Sequence, residues 1–375
     1  MPIPVDSAGS AYAQRLIYSA VLVFLAVAGI ARAGECAPSE VSGVVRGPMG
    51  ERLDHHVRSG TKLGFSGNVL VAKSGEIVLH HGYGWADRKN CLPVTNETAF
   101  WIGSLSKQFA AAAILRLQEQ GKLALDDPLG KHVKNLPEGK RAITIHQLLT
   151  HTSGLEQRYA ADGIADRDKA IRALTRKPRS IDPERSFAYS NDGYNLLAIL
   201  VATVSGHSFD DYVRAHLFER AGLEHTTTCG ERREGLVVAE SGPGATRSGD
   251  PQDWQEDWGF RGATGVITTT GDLYRWYQAL HSGSILEEAG VGLLFQSHVR
   301  RREGLHYAYG WQIADTAHGK LIVHSGDDTV ISHDSTLRHY VELDLIVIVT
   351  ANAGYQSDRG IGQLLARELV TLALE

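Results

Sequence analysis

A serine and a lysine three residues apart, Ser104 and Lys107, stand in the stretch WIGSLSKQF (101–109). A serine hydroxyl is a poor nucleophile until a base takes its proton. Residues three apart on a helix share one face, so this spacing would put an amine beside the hydroxyl. The free N–H groups at a helix N-terminus would also stabilise a developing oxyanion. Ser104 and Lys107 satisfy this geometry for a serine nucleophile with an amine beside it.

The spacing of serine and lysine is not specific by itself. Ser59 and Lys62 have the same spacing, but they lie in a Gly-rich stretch with no helix behind it, and we discard them. A solvated helix lysine is the plain alternative for Lys107. The hypothesis therefore needs further residues elsewhere in the chain.

Two later motifs supply them. Tyr189-Ser190-Asn191 is the only Y-x-N sequence in the chain and precedes an apolar helical stretch at 193–206. His324-Ser325-Gly326 ends an apolar strand-like run at 319–326. Two similar triplets are better explained by structure: a hairpin turn at 73–75 and a helix C-cap at 281–283. No G-x-S-x-G is present, which excludes the nucleophile elbow of α/β-hydrolases.

In this order the three motifs resemble the serine β-lactamase and penicillin-recognising family. The resemblance is closest to class C β-lactamases, D-Ala-D-Ala carboxypeptidases and their esterase relatives, and it covers about residues 60–355. Four stretches carry it around the motifs: WIGSLSKQFAAAAILRLQEQGKLALDDPLGKHV (101–133), ITIHQLLTHTSGL (143–155), GATGVITTTGDLYRW (262–276) and YAYGWQI (307–313).

The resemblance implies a hydrolase that forms an acyl-enzyme on Ser104. Lys107 and Tyr189 would then shuttle the proton, and Asn191 would orient Lys107 and an amide of the substrate. The third motif would line one side of the substrate site with His324, Ser325 and Gly326. The backbone N–H groups of Ser104 and Asp327 would form the oxyanion hole.

One departure from the β-lactamase pattern bears on the substrate. His324 stands where β-lactamases have lysine, and histidine is mostly neutral above about pH 6.5, so its help to Tyr189 and to a substrate carboxylate should fade as pH rises. Asp327 and Asp328 would place two negative charges beside the site unless their side chains point away from it. This favours an ester or a D-aminoacyl peptide as substrate. A class C-like β-lactamase and a non-catalytic protein that binds muropeptide or a partner remain the alternatives.

Strand and helix patterns come from different parts of the chain. A hairpin is predicted over 67–87, and further strands over 319–326, 334–343 and 343–352, so that both chain ends contribute to one sheet. Helices are predicted over 104–121, 193–206 and 269–283, and the last helix would place Leu364, Leu365 and Leu369 on the sheet. The polar, Gly/Pro-rich segment 231–260 is expected to be a long surface loop.

These patterns predict an α/β (α+β) fold of the serine β-lactamase and DD-peptidase type. Its antiparallel, five-stranded-type sheet would be flanked by helices and joined to a mostly helical insert. We expect a discontinuous α/β domain (34–125 and 300–375) and a mainly helical domain (126–299), with the site between them.

Composition narrows the possible ligands. The formal charge of −5 and the absence of Lys/Arg runs argue against nucleic-acid binding. The 17 histidines are scattered, and no H-E-x-x-H motif is present, so neither a metal nor another cofactor is expected. The expected partner is a small-molecule or peptide substrate. No pattern fixes the oligomeric state.

The N-terminal residues indicate export. The uncharged apolar run 16–30 follows Arg15, and small residues place a signal-peptidase cut after Ala33. We therefore expect a signal peptide (1–33), a periplasmic or secreted protein, and no stable membrane span after cleavage. An uncleaved anchor is the alternative, although the run is shorter than the ~20 residues that span a bilayer. Export permits one disulfide, most simply Cys36 to Cys91, but three cysteines fix no pairing.

Overall fold

A computed structural model of the chain describes residues 41–61, 64–156, 158–177, 187–255, 257–328, 330–352 and 360–375. The predicted signal peptide, its cleavage site and Cys36 lie outside these ranges. Cys91 is disulfide-bonded, and Cys229 is a free thiol. Within the described ranges, no helix combines the length and the apolar character that crossing a bilayer requires.

Fourteen strands occur in the described ranges, and most of them join one antiparallel sheet. In chain order they are β1 (Val44–Val45), β2 (Gly67–Lys73), β3 (Glu76–Tyr83), β4 (Trp85–Asp87), β5 (Leu92–Pro93), β6 (Phe100–Trp101), β7 (Thr227–Thr228), β8 (Val266–Thr268), β9 (Val299–Arg302), β10 (Leu305–Tyr307), β11 (Gln312–Thr316), β12 (Gly319–Asp328), β13 (His333–Tyr340) and β14 (Leu345–Ala351). The main sheet has nine strands in the order β1-β3-β2-β14-β13-β12-β11-β10-β9.

The sheet joins the two ends of the chain, as the sequence predicted. Ser74 and Gly75 both have positive φ, and this two-residue turn closes the β2–β3 hairpin. β14 then pairs with β2 on one side and with β13 on the other. The sheet is larger than the expected five strands because β1 and the β9–β11 meander extend its edges.

The helices surround this sheet. They are α1 (Gly47–Thr61), α2 (Lys107–Glu119), α3 (Leu129–His132), α4 (Ile145–Leu149), α5 (Arg167–Thr175), α6 (Asn191–Ser205), α7 (Phe209–Val213), α8 (Thr270–His281), α9 (Glu288–Phe295) and α10 (Ile361–Ala373). Short 3₁₀ segments add Gly103–Ser106, Glu138–Lys140, Pro251–Asp253 and Val341–Leu343, and Arg214–Phe218 is a π-helix. Helix α1 was not predicted, and it includes Ser59. The helix expected over 104–121 is a 3₁₀ turn followed by α2.

Two hydrophobic layers hold the sheet. α1 and α10 cover one face, where Leu53, Val57 and Leu369 are fully buried. The other face packs on the larger core that contains α2, α6 and α8, with Phe109 stacked on Trp276 at 4.4 Å. Leu364 of α10 is 40% exposed, so the prediction that it faces the sheet was wrong. Leu365 and Leu369, which were also predicted to pack there, are buried.

The segment 231–260 is mostly exposed or half-buried over 231–250, as its composition indicated, but it is anchored to the body at several points. Ala99 N–H donates to Val237 O at 2.8 Å, Glu240 N–H donates to Ala86 O at 2.7 Å, and Ala99 forms a parallel bridge with Val238. Gln252 is buried as well. Composition gave no sign of the anchors at Val237, Val238 and Glu240 because backbone atoms make them.

The described residues, from 41 to 375, belong to one compact unit. The division into a discontinuous α/β domain and a helical domain stays a prediction.

Candidate active site

Ser104 and Lys107 meet on one tight turn. Ser104 lies in the 3₁₀ segment Gly103–Ser106, and Lys107 opens α2. Residues i and i+3 eclipse in a 3₁₀ turn, which brings Lys107 Nζ to 3.0 Å from Ser104 Oγ. Lys107 is fully buried, so the amine is held in this place rather than extended into solvent.

Two further oxygens fix the amine of Lys107. Nζ donates to Asn191 Oδ1 at 2.8 Å and to the backbone oxygen of Ala263 at 2.8 Å. Both are acceptors only, so they take two N–H groups in either charge state of the lysine. In the neutral amine the remaining lone pair then faces Ser104 Oγ. This is the arrangement that a base for the serine proton requires.

Asn191 is positioned by the start of α6. The side chain of Ser190 caps this helix by accepting a hydrogen bond from Gly193 N–H at 2.9 Å. The same hydroxyl donates to Glu156 O at 2.8 Å, which ties the cap to the segment after α4. The Y-x-N motif therefore combines a phenol, a helix cap and the amide that holds Lys107.

Tyr189 lies beside Ser104 and is partly buried. Burial raises the pKa of its phenol, while a hydrogen bond with the Ser104 side chain and the charge of Arg301 lower it. Lys107 Nζ lies 4.8 Å from the centroid of the Tyr189 ring. The net rise in pKa makes Tyr189 a protonated phenol near neutral pH, suited to donate a proton rather than to act as a phenolate base.

The third motif runs along β12 next to the Ser104 turn. A Cβ on Gly326 would lie 1.9 Å from Ile102 O, so only glycine permits this close approach. A Cβ on Gly103 would lie 3.4 Å from Asp327 N, which places that amide beside the turn. The side chain of Ser325 donates to Thr336 Oγ1 at 3.0 Å, and Asp327 is exposed. The Asp328 side chain lies outside the described residues.

His324 differs from the expectation. It is 2% exposed, and burial together with the charges of Lys107 and Arg301 lowers its pKa to about 3. The expectation that its positive charge fades around pH 6.5 was therefore wrong, because an imidazole this deeply buried is already neutral there. Arg301 is an exposed residue near this region, and its guanidinium lies over the Phe187 ring at 4.6 Å and donates to Gln312 Oε1 at 2.7 Å.

His151 and Tyr307 are site neighbours to which the sequence assigned no role. The His151 ring lies 4.2 Å from the Tyr189 ring between centroids. His151 Nε2 lies 3.0 Å from the hydroxyl of Tyr307, which lies 3.3 Å from His324 Nε2. Both residues fall in stretches that carried the family resemblance, 143–155 and 307–313. That resemblance was the only signal of them in the sequence.

A cavity of about 520 Å³ adjoins the start of α6. Asp192, Glu156 and Arg158 are among its lining residues, so it is polar and carries both charges. Across the described ranges, no group of three or more His, Cys, Asp or Glu side chains is arranged to hold a metal.

The fold and the arrangement around Ser104 together define the class of β-lactamase-like and penicillin-binding-protein-like proteins. A family model described as "Beta-lactamase" matches residues 53–371, and the chain belongs to this family. Members of this superfamily are serine hydrolases.

Individual relatives agree with this assignment. The chain is 36% identical over 243 residues to the "Putative penicillin-binding protein PbpX" of Bacillus subtilis, covering 62% of this chain and 59% of that protein. A penicillin-binding protein from Bacillus halodurans has a similar structure, with a TM-score of 0.71 and 25% identity over 86% of this chain and 99% of that one. A D-amino acid amidase from Ochrobactrum anthropi shares the fold, with a TM-score of 0.73 and 21% identity over 88% and 98%. The chain spans less than two thirds of the length of the curated relatives it matches.

Proposed function

We propose that the protein is an exported serine hydrolase that forms an acyl-enzyme on Ser104 and acts on a carboxylic ester or a D-aminoacyl amide or peptide. The observation that carries this proposal is the contact of Lys107 Nζ with Ser104 Oγ at 3.0 Å, with Nζ also held by Asn191 and Ala263. A solvated helix lysine would not be buried or held by three oxygens.

The proposed reaction follows from these contacts. The Lys107 amine takes the proton of Ser104 as its oxygen attacks the acyl carbon. The backbone N–H groups of Ser104 and Asp327 stabilise the oxyanion. The Tyr189 phenol donates a proton to the leaving group and regains one from Lys107. Water then attacks the acyl-enzyme, and Ser104 recovers its proton when the acid is released.

The charge near β12 supports esters and amides over β-lactams. His324 is neutral at working pH and provides no cation for a substrate carboxylate. The exposed carboxylate of Asp327 lies beside the proposed oxyanion hole. The fold of the D-amino acid amidase adds a reason to include D-amino acid amides among the substrates tested.

One observation favours the class C-like β-lactamase as a second candidate. The charge of Arg301 acts on both Tyr189 and His324, and the residue is exposed, although its guanidinium donates to Gln312 Oε1 at 2.7 Å and burial lowers its pKa. It would provide the cation for a β-lactam carboxylate that His324 does not.

The test compares p-nitrophenyl esters, D-aminoacyl p-nitroanilides and nitrocefin side by side, with fluorophosphonate or fluorescent-penicillin labelling of wild type and Ser104→Ala. We expect labelling that Ser104→Ala abolishes, and turnover of esters or D-aminoacyl anilides above that of nitrocefin. Efficient nitrocefin hydrolysis without esterase activity would favour the β-lactamase. A wild-type protein that takes no label would favour the non-catalytic binder of muropeptide or a partner.

A further inference from the structure

A chain of hydrogen bonds runs beneath the site from one backbone segment to another. Ser190 N–H donates to His151 Nδ1 at 3.0 Å. His151 Nε2 and His324 Nε2 both contact the Tyr307 hydroxyl, and His324 Nδ1 lies 2.9 Å from Ser325 O. His151 and Tyr307 are fully buried, so water does not compete for these contacts.

The two backbone ends fix the direction of every bond in this chain. A backbone N–H can only donate, so His151 Nδ1 accepts and the single proton of the neutral ring is on Nε2. A backbone oxygen can only accept, so the proton of neutral His324 is on Nδ1. Tyr307 therefore accepts from His151 Nε2–H, and its single proton is shared between His324 Nε2 at 3.3 Å and the hydroxyl of Tyr194, which itself donates to Leu149 O.

The segments at the two ends carry the proposed chemistry. Ser190 stands between Tyr189 and Asn191, and Ser325 precedes Gly326 and the Asp327 amide. His151 also packs its ring against that of Tyr189, with 33° between the planes. His151 itself has a φ of 58°, an uncommon backbone state for a non-glycine residue. Its own backbone oxygen accepts from Ala188 N–H at 2.8 Å, next to Tyr189.

We propose that His151 and Tyr307 are positioning residues for acyl transfer, which hold the Tyr189–Asn191 segment and the Ser325–Asp327 segment in register around Ser104. This inference rests on the proposed function. The alternative is that both residues only fill the core. A purely structural role predicts loss of stability without a specific loss of the acylation rate.

The main test removes the Tyr307 hydroxyl with Tyr307→Phe. The ring stays, but His151 Nε2–H and His324 Nε2 lose their shared partner. Misplacement of catalytic groups by about 1 Å costs about 100-fold in rate, so we expect the acylation rate of Ser104 to fall about tenfold to 100-fold, with KM for an ester changed less than about twofold. Tyr277→Phe is the matched control, because it removes a buried hydroxyl that also contacts a histidine ring, His339 Nδ1, at 2.7 Å.

Variants at His151 separate its two hydrogen bonds from its volume. His151→Asn keeps an acceptor for Ser190 N–H and suits the left-handed backbone, whereas His151→Ala keeps neither hydrogen bond. We expect His151→Asn to acylate faster than His151→Ala. The variants Tyr307→Phe, His151→Asn and His151→Ala are compared with Tyr277→Phe at equal loss of Tm. If their acylation rates fall no further than that of Tyr277→Phe, the inference is overturned.

The same experiments distinguish this inference from the proposed function. A wild-type protein that is not acylated contradicts both, whereas normal acylation of the wild type and of every variant contradicts only the positioning role. If Tyr307→Phe does not fold, ¹⁵N NMR of the histidine rings in the folded Ser104→Ala protein provides the second measurement. We expect the Nε2–H tautomer for His151 and the Nδ1–H tautomer for His324, and the opposite pair would overturn the inference.

Discussion

The close approach of Gly326 to the Ser104 turn allows a steric test of the oxyanion hole. In Gly326→Ala the new Cβ would lie 1.9 Å from Ile102 O and 2.5 Å from Ser335 Oγ, whereas real Cβ contacts stay beyond 3.0 Å. Ile102 O accepts from the Ser335 hydroxyl at 2.7 Å and from Leu105 N–H at 3.2 Å, so it does not move freely. β12 or the Ile102–Ser104 backbone must therefore shift by about 1 Å.

A shift of about 1 Å at the oxyanion hole predicts an acylation rate about 100-fold lower. Overpacking of this kind costs about 1–3 kcal/mol of the free energy of unfolding. Stopped-flow labelling with a fluorescent fluorophosphonate measures the rate, and thermal melting measures the stability. Because the φ of Gly326 is not positive, the effect of alanine there is steric rather than conformational.

The control for this variant is Gly292→Ala. Gly292 is exposed within α9, and its Cβ would meet no heavy atom within 4 Å. We expect an unchanged acylation rate and equal or slightly higher stability, since alanine is the better helix former. Wild-type acylation by a folded Gly326→Ala protein would refute the role of the β12 backbone in the reaction.

Two further predictions concern Lys107 and a buried carboxyl group. Lys107→Met keeps most of the buried volume but removes the proposed base, so the acylation rate should fall about 10²- to 10⁴-fold. The control Lys122→Met changes an exposed lysine and should acylate at the wild-type rate. An unchanged acylation rate in Lys107→Met would exclude Lys107 as the base. Asp334 is buried and accepts from Gln363 N–H at 3.0 Å, and burial raises its pKa from 3.8 to about 7. The protonated Asp334 carboxyl therefore favours the folded state fully below about pH 4, and this effect is lost as pH rises to 7. The free energy of unfolding should fall by up to about 4 kcal/mol over this range, at about 1.4 kcal/mol per pKa unit. Asp334→Asn should flatten this part of the stability–pH curve in denaturant titrations, and identical curves would contradict the assignment.

The sequence predicted the fold class and the meeting of the motifs because residue order and spacing carry that information. Ser104 and Lys107 needed only a single turn, and the Y-x-N and H-S-G motifs needed only their order along the chain. The nine-strand sheet was underestimated because the short strands β9 and β10 are charged or partly exposed and lack a strong period-two pattern. Leu364 was misplaced because several helical registers fit the same run of leucines.

The electrostatics of the site could not be predicted, because burial depends on the whole fold. The pKa of His324 is lowered by desolvation that no local pattern reports. Lys107 Nζ donates to the backbone oxygen of Ala263, and a backbone contact of this kind cannot be read from the residue type. His151 and Tyr307 are 156 residues apart, so their contact appears only in the tertiary structure.

The position of β14 in the sheet limits when the sheet can form while the chain is being synthesised. The N-terminal hairpin cannot join the remaining strands until the chain has been synthesised past residue 351, because β14 separates β2 from β13. A ribosome makes about 5–20 residues each second, so the hairpin waits on the order of 15–60 s with an unpaired edge. Such edges invite pairing with other chains. We therefore expect the nascent protein to depend on a holding chaperone until its last strand emerges.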